Sequence, residues 1–372
     1  MAAGSVVGLT WAAGFRGWMA QLAGESSTFA WSTMLLVLLP ATILGGLVVW
    51  TCGRHAHSQE PSVWLVLSPA LLAVALLDPD VFSALVHTGE GAGSLAVVAT
   101  ALAGGTLFSG TGRGLGRLAC AGVWVSGMLL VLFLATVAAP LSTPRGAWVC
   151  VMGGALVALL SLASALPHRG GLRGAEPNLP WIGALAGLAW AASLRGLMAA
   201  VVGDDSTVSW TGTFVNVLVP GAAVGGLLGW AARERRRGRP RRLLVWAPLL
   251  FILVLAPGLL DLSEFFDSGV GGGAIGVPVI TIVGAHALGG RRIVTRACCA
   301  VVFASFLVVW VITAPSFGGP GFAVTRPQGA WAMLLIDGLL VTAAMATAIP
   351  LRNRPAASAR LAPAGIGMPS AS

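Results

Sequence analysis

Residues 8–31 read GLTWAAGFRGWMAQLAGESSTFAW, and residues 187–210 read GLAWAASLRGLMAAVVGDDSTVSW. Laid over each other without a gap, the two stretches agree at thirteen of 24 positions. The identities include Trp11 with Trp190, Arg16 with Arg195, Gly17 with Gly196, Met19 with Met198, Gly24 with Gly203, Ser27-Thr28 with Ser206-Thr207, and Trp31 with Trp210. Self-similarity of this kind marks a duplicated unit. It continues through Pro40 with Pro220 and Trp50 with Trp230, then returns as Gly146-Ala147-Trp148 with Gly329-Ala330-Trp331 and Pro167 with Pro350. The chain therefore divides into a first repeat at 1–167, a linker at 168–180, a second repeat at 181–351 and a tail at 352–372.

Composition fixes the solvent in which these repeats fold. Of the 372 residues, 56% are hydrophobic and only 9% are charged, with a mean hydropathy of +0.88. A soluble domain carries roughly 25% charged residues. Apolar segments fall at 5–23, 32–50, 62–78, 93–109, 117–139 and 146–167, and again at 181–202, 211–230, 243–260, 269–288, 293–314 and 329–350. Most are long enough to cross a hydrocarbon core of about 30 Å at 1.5 Å per residue. The expected fold is all-α: a polytopic transmembrane bundle of twelve helices in two parallel six-helix repeats.

The formal charge of +9 comes entirely from arginine, since the 22 basic residues include no lysine. With a pI of about 11.2 the balance could point to nucleic acid, but the arginines lie in short connections between apolar segments, and no nucleic-acid-binding module is visible. Alternating spans place Arg54, Arg113, Arg117, Arg169, Arg173, Arg291, Arg292, Arg296, Arg352, Arg354 and Arg360 on one face. Most acids, among them Glu25, Asp78, Asp80, Glu90, Asp204 and Asp205, fall on the other. By the positive-inside rule both termini are cytoplasmic and the protein is a multi-pass protein of the plasma membrane. An even number of spans per repeat makes the halves parallel, related by an axis along the membrane normal. The basic run containing Arg233, Arg235, Arg236, Arg237, Arg239, Arg241 and Arg242 is a candidate contact for anionic lipid. The N-terminus lacks a basic n-region, so the first helix is expected to stay in the mature protein. The five cysteines have no paired extracellular spacing.

The pattern Trp-x4-Arg-Gly-x-Met, followed by Gly and then Ser-Thr-x2-Trp, resembles a group of uncharacterised actinobacterial integral membrane proteins. That resemblance covers the start of each repeat and implies a membrane location without an activity. The two-half plan is also similar to that of major facilitator transporters, although none of their loop signatures occurs here.

Polar residues inside lipid are the candidates for function. Arg16 and Arg195 lie roughly 12 Å below the outer ends of their helices, where an arginine costs on the order of 2.5 to 3.5 kcal/mol unless it finds a partner or water. They either reach Glu25, Asp204, Asp205 or backbone carbonyls, or form a pair of anion-binding groups. Asp337 is the acid placed inside a span, with Gly154 at the matched position, and its depth allows a pair with Arg195 or Arg16. It is read as either a static ion pair or a proton-coupling carboxylate. Pro40 and Pro220 sit midway along the second helix of each repeat. The fourth helices carry Gly104 and Gly105, and Gly271, Gly272, Gly273, Gly276 and Pro278. Breaks at matched positions point to a midplane binding site. Gly4-x3-Gly8, Gly183-x3-Gly187 and Gly221-x3-Gly225-x3-Gly229 read as packing faces. Trp31, Trp50, Trp148, Trp210, Trp230 and Trp331 read as interfacial belts.

Cys52, His55 and His57 form a weak metal set, and Asp261, Glu264 and Asp267 a weak cation face, so no metal or cofactor is expected. No nucleophile, HExxH or GxSxG pattern supports an enzyme. Two readings of function follow. One is a secondary transporter or exporter of a small anionic or amphipathic solute, using Arg16, Arg195, Pro40 and Pro220 to bind and Asp337 to couple. The other is a non-catalytic membrane scaffold or accessory subunit.

Overall fold

The computed structural model describes residues 1–24, 27–56, 63–87, 92–111, 114–168, 178–203, 206–254 and 270–352. The described residues are helical and contain no strand. In order they form α1 (Ala2–Ala23), α2 (Trp31–Arg54), α3 (Val63–Val66, continuing as a 3-10 helix over Ser68–Leu77), α4 (Pro79–His87), α5 (Ala92–Ser109), α6 (Gly114–Ala138) and α7 (Pro144–Ala165). There follow α8 (Leu179–Val202), α9 (Trp210–Arg236), α10 (3-10 over Arg242–Leu249, then α over Leu250–Val254), α11 (Val270–Gly289), α12 (Ile293–Gly318) and α13 (Pro327–Thr347).

Seven of these, α2, α6, α7, α8, α9, α12 and α13, are long and apolar enough to cross a membrane. Two of them are exposed along much of their length. On α12, Val301, Ile312 and Phe317 are at least 65% exposed, and on α6 Leu115, Phe133 and Val137 are at least 61% exposed. Exposed apolar surface on these long helices fits contact with hydrocarbon. The two helices that present it follow equivalent loops, and Arg117 and Arg296 stand at equivalent positions in their first turns.

Four helices, α1, α7, α8 and α13, make the centre. Ala12 and Ala13 of α1 pack with Trp331, Leu335 and Leu339 of α13, while Ala189 and Ala192 of α8 pack with Trp148, Met152 and Leu156 of α7. Outside them, α2 lies on α1 and α9 on α8 through glycine. A Cβ on Gly8 would strike the Ala41 carbonyl, and one on Gly187 would strike the Gly221 carbonyl. The backbones approach that closely because no side chain intervenes, as small-residue stripes allow in membranes.

The expected breaks turn out differently. The fourth helices of the two repeats, α5 and α11, run unbroken, α11 passing through Pro278. Gly104 and Gly105 instead admit α7: a Cβ on Gly104 would lie 2.5 Å from Ser161 Cβ, and one on Gly105 2.7 Å from the Ser164 carbonyl oxygen. At Pro40 and Pro220 the helices also continue, but each proline directly follows the first residue after a π-helical stretch, Met34–Leu38 or Trp210–Leu218. The wider turn absorbs the amide that proline lacks and the carbonyl its ring displaces. The third segments are partly 3-10, over Ser68–Leu77 and Arg242–Leu249, with a rise of about 2.0 Å per residue. The Ser68–Leu77 segment bends by 96° into the helix that follows.

A hydrogen-bonded clasp ties the end of α5 to the end of α7. Thr111 Oγ1 lies 2.8 Å from Ser109 Oγ and 3.2 Å from His168 Nδ1. His168 is buried, and burial pushes its imidazole below the ordinary value of 6.5.

Replacing Gly8 or Gly187 by valine is expected to cost about 1–3 kcal/mol or more through overpacking, read as lost membrane abundance and a lower Tm. Gly122→Val, at a position with open space around it, is the control and should behave as wild type. Because the folded His168 pKa lies below its unfolded value, its contribution to stability is present above about pH 6.5 and declines as the pH falls below that value toward the folded pKa. His168→Gln should flatten that segment of a Tm-versus-pH profile.

Candidate functional site

Arg16 and Arg195 explain the repeated motif. Each helix that carries them ends at a glycine with positive φ, Gly24 at 58° and Gly203 at 66°, a region open to glycine. The chain turns there and brings Ser27-Thr28 and Ser206-Thr207 back over the arginine. Arg16 Nη2 donates to the Thr28 carbonyl at 2.6 Å, and Nη1 to Ser27 Oγ at 3.2 Å. Arg195 Nη2 donates to the Thr207 carbonyl at 2.7 Å, Nη1 to Ser206 Oγ at 3.1 Å and Nε to Thr213 Oγ1 at 3.3 Å. The arginine, glycine and Ser-Thr positions are therefore one device: a charged side chain pins its own loop through hydrogen bonds to a carbonyl and a hydroxyl.

Aromatic rings cover both guanidinium groups. Arg16 lies 4.1 Å from the Phe29 ring centroid, and Phe29 packs on Trp331 with centroids 4.7 Å apart. Val208 stands where Phe29 does in the other repeat, and there Arg195 faces Trp148 directly at 5.6 Å. Trp148 and Trp331 are 0% and 1% exposed, so they belong to the core rather than to an interfacial belt. Trp31, Trp50 and Trp210 are exposed, as a belt requires.

The same tryptophans join the central helices. Trp11 Nε1 donates to the Leu156 carbonyl at 2.8 Å, and Trp190 Nε1 to the Leu339 carbonyl at 2.8 Å. Trp148 Nε1 donates to the Ala192 carbonyl at 3.2 Å, while Trp331 Nε1 donates to the Ala13 carbonyl at 2.8 Å. All eight residues pair off at sequence-matched positions. The second set crosses over: α7 donates to α8, and α13 donates to α1.

Beside this frame lies a cavity of about 670 Å³. Glycines of α1, α2, α8 and α9 line it, with Trp11, Trp190, Leu156, Leu339 and Phe251. Among the described residues, no acidic or basic side chain lines it. Its polar groups are hydroxyls, including Thr10, Ser193, Thr281 and Thr347. Thr347 is fully buried, and its hydroxyl has no hydrogen-bond partner among the described residues.

The expected site residues are therefore not brought together. Arg16, Arg195, Pro40 and Pro220 do not line the cavity; Pro278 does. Asp337 makes no ion pair with Arg16 or Arg195 among the described residues, and its buried Oδ1 has no hydrogen-bond partner. Trp310 Nε1, on the neighbouring α12, is also buried without a partner. Glu25, Asp204, Asp205, His57, Asp261, Glu264 and Asp267 lie outside the described residues. Among the described residues no cluster of three or more His, Cys, Asp or Glu could hold a metal. Sequence reading missed the indole–carbonyl frame and the cavity; the matched Trp11/Trp190 and Trp148/Trp331 pairs were the available signal.

No family model, curated protein or solved structure matches the chain.

The arginine device is tested by a double-mutant cycle on Arg195→Gln and Ser206→Ala. A coupling of about 1–2 kcal/mol is expected in detergent unfolding, as for groups that share a hydrogen-bond network. Strict additivity would show that the pair does not act together.

Proposed function

We propose that this protein is a membrane carrier of a neutral, largely apolar or amphipathic solute, held in the cavity between two parallel six-helix repeats. The observation that carries the reading is the uncharged lining of a cavity of about 670 Å³, a size within the usual range for small-molecule sites. An anionic solute would meet no cation there, whereas Trp11, Trp190, Leu156 and Leu339 offer apolar surface and Thr347 offers a hydroxyl in need of a partner.

Twelve spans, with both termini in the cytoplasm of a plasma-membrane protein, complete the proposal. Matched hydrogen bonds at Trp11/Trp190 and Trp148/Trp331 support the two-repeat arrangement. The cavity then opens toward the cytoplasm, since it is lined by the first turns of α1 and α8 and by Leu166 and Ile349 beyond α7 and α13. The π-helical stretches before Pro40 and Pro220 are the places where α2 and α9 give as the repeats rock. Asp337 is the coupling residue, since an unsatisfied carboxyl oxygen in an apolar core calls for a proton or a ligand. The scaffold reading has its own support, because Arg16 and Arg195 are fully engaged in holding their loops.

Filling the cavity separates the two. Ala186 lines it, and Ala186→Trp should abolish any change that the wild-type protein makes to cellular levels of the uncharged dyes Nile red and N-phenylnaphthylamine, at equal membrane abundance. Asp337→Asn should leave dye binding intact and remove dependence on an imposed pH gradient. If wild type, Ala186→Trp and empty-vector cells handle the whole dye panel alike, the carrier reading fails and the scaffold reading takes its place.

A further inference from the structure

The cavity between the repeats has matched walls. Gly4 and Gly183, Trp11 and Trp190, and Leu156 and Leu339 line it from equivalent positions. Its hydroxyl groups are not matched in the same way. Residues 146–167 align with 329–350 without a gap, so Ser164 at the end of α7 is the counterpart of Thr347 at the end of α13, and both line the cavity. Ser164 Oγ donates to the Leu160 carbonyl at 2.8 Å, one turn back in its own helix. Thr347 is 0% exposed, and its Oγ1 has no partner among the described residues.

Donation to the carbonyl four residues earlier is the ordinary resort of a helical serine or threonine among apolar neighbours. Two other threonines of the same wall follow it: Thr10 Oγ1 donates to the Val6 carbonyl and Thr342 Oγ1 to the Gly338 carbonyl, each at 2.8 Å. Thr347 departs from that pattern. A buried hydroxyl without a partner loses its hydration and gains nothing in exchange. Water would settle there only with two or more polar partners, and the adjoining wall residues Ala343, Ala346 and Ile349 offer no polar side chain. Farther along, Trp11 and Trp190 have already given their N–H groups to the Leu156 and Leu339 carbonyls, so what remains of them for a ligand is ring surface. Leu339 and Thr347 are eight residues apart on one helix, about 12 Å along its axis.

Resting on the carrier reading, we infer that the solute of this cavity is a neutral, elongated amphipath with an uncharged oxygen, a hydroxyl or a carbonyl, at one end, and that Thr347 donates a hydrogen bond to that oxygen. The lining sets the class. A charged head would meet no opposite charge, and a plain hydrocarbon would leave the Thr347 hydroxyl unmet. The head turns to α13 rather than α7, because Ser164 is already satisfied within its own helix.

Two probes that differ in one terminal group, pyrenebutanol and pentylpyrene, test this on the full-length protein in nanodiscs. Binding is read by energy transfer from tryptophan to pyrene, corrected for uptake into empty nanodiscs. Wild type should favour the alcohol by about tenfold, the value of one hydrogen bond that relieves a buried hydroxyl. Thr347→Val should abolish the preference, whereas Thr347→Ser and Ser164→Ala should keep it. Ala186→Trp, which fills the cavity, should weaken both probes alike. Without any probe, Thr347→Val should have a Tm equal to or above that of wild type, since it removes an unpaired polar group from an apolar place. A lower Tm shows that the protein or a bound water already satisfies the hydroxyl, and overturns the assignment. Equal affinity of wild type for the two probes, or a preference that survives Thr347→Val, overturns it as well while the carrier reading stands. Failure of wild type to bind either probe removes both.

Discussion

In hydrocarbon a backbone carbonyl or an indole N–H has no water to turn to, and the centre of this protein is organised by that constraint. Four tryptophans each hand their N–H to a carbonyl on a neighbouring helix, and together they tie α1, α7, α8 and α13. Large rings at these points also fill the space between helices whose facing positions are alanine and glycine. The outer helices then need only apolar surface and small residues, because the geometry is already set at the axis.

The arginines belong to the same logic. A guanidinium deep in an apolar bundle is tolerated when its donors meet fixed acceptors and its face meets an aromatic ring. Arg16 and Arg195 meet the first condition through residues eleven and twelve positions further along the chain, and the second through Phe29 and Trp148. The motif recurs as a unit although its surroundings differ: Val208 stands where Phe29 does, and Trp148 supplies the ring contact to Arg195.

Much of this was legible in the chain, and the rest failed for identifiable reasons. Helix positions followed from length and hydropathy, and the expected segments agree closely with most of the observed helices. Sequence gives depth in a span but not azimuth: Trp148 and Trp331 lie near helix starts, as belt residues do, yet face inward toward Ala192 and Ala13. Gly104 and Gly105 looked like breaks because glycine permits both a bend and a close approach, and only the partner helix decides between them. Asp337 was matched to an arginine by depth alone, while both arginines were already held by their own loops. The cavity was out of reach, since it is defined by what eight separate helices leave unfilled.

The crossed pair of indole bonds has one more implication. Each repeat owns both a donor, Trp148 or Trp331, and an acceptor, Ala13 or Ala192, and gives its donor to the opposite partner. That is the form of an isologous contact, in which two identical surfaces complete each other. Either half of the chain alone would leave its indole N–H unmet in lipid, so the joint between α7 and α8 and that between α13 and α1 each need both halves present.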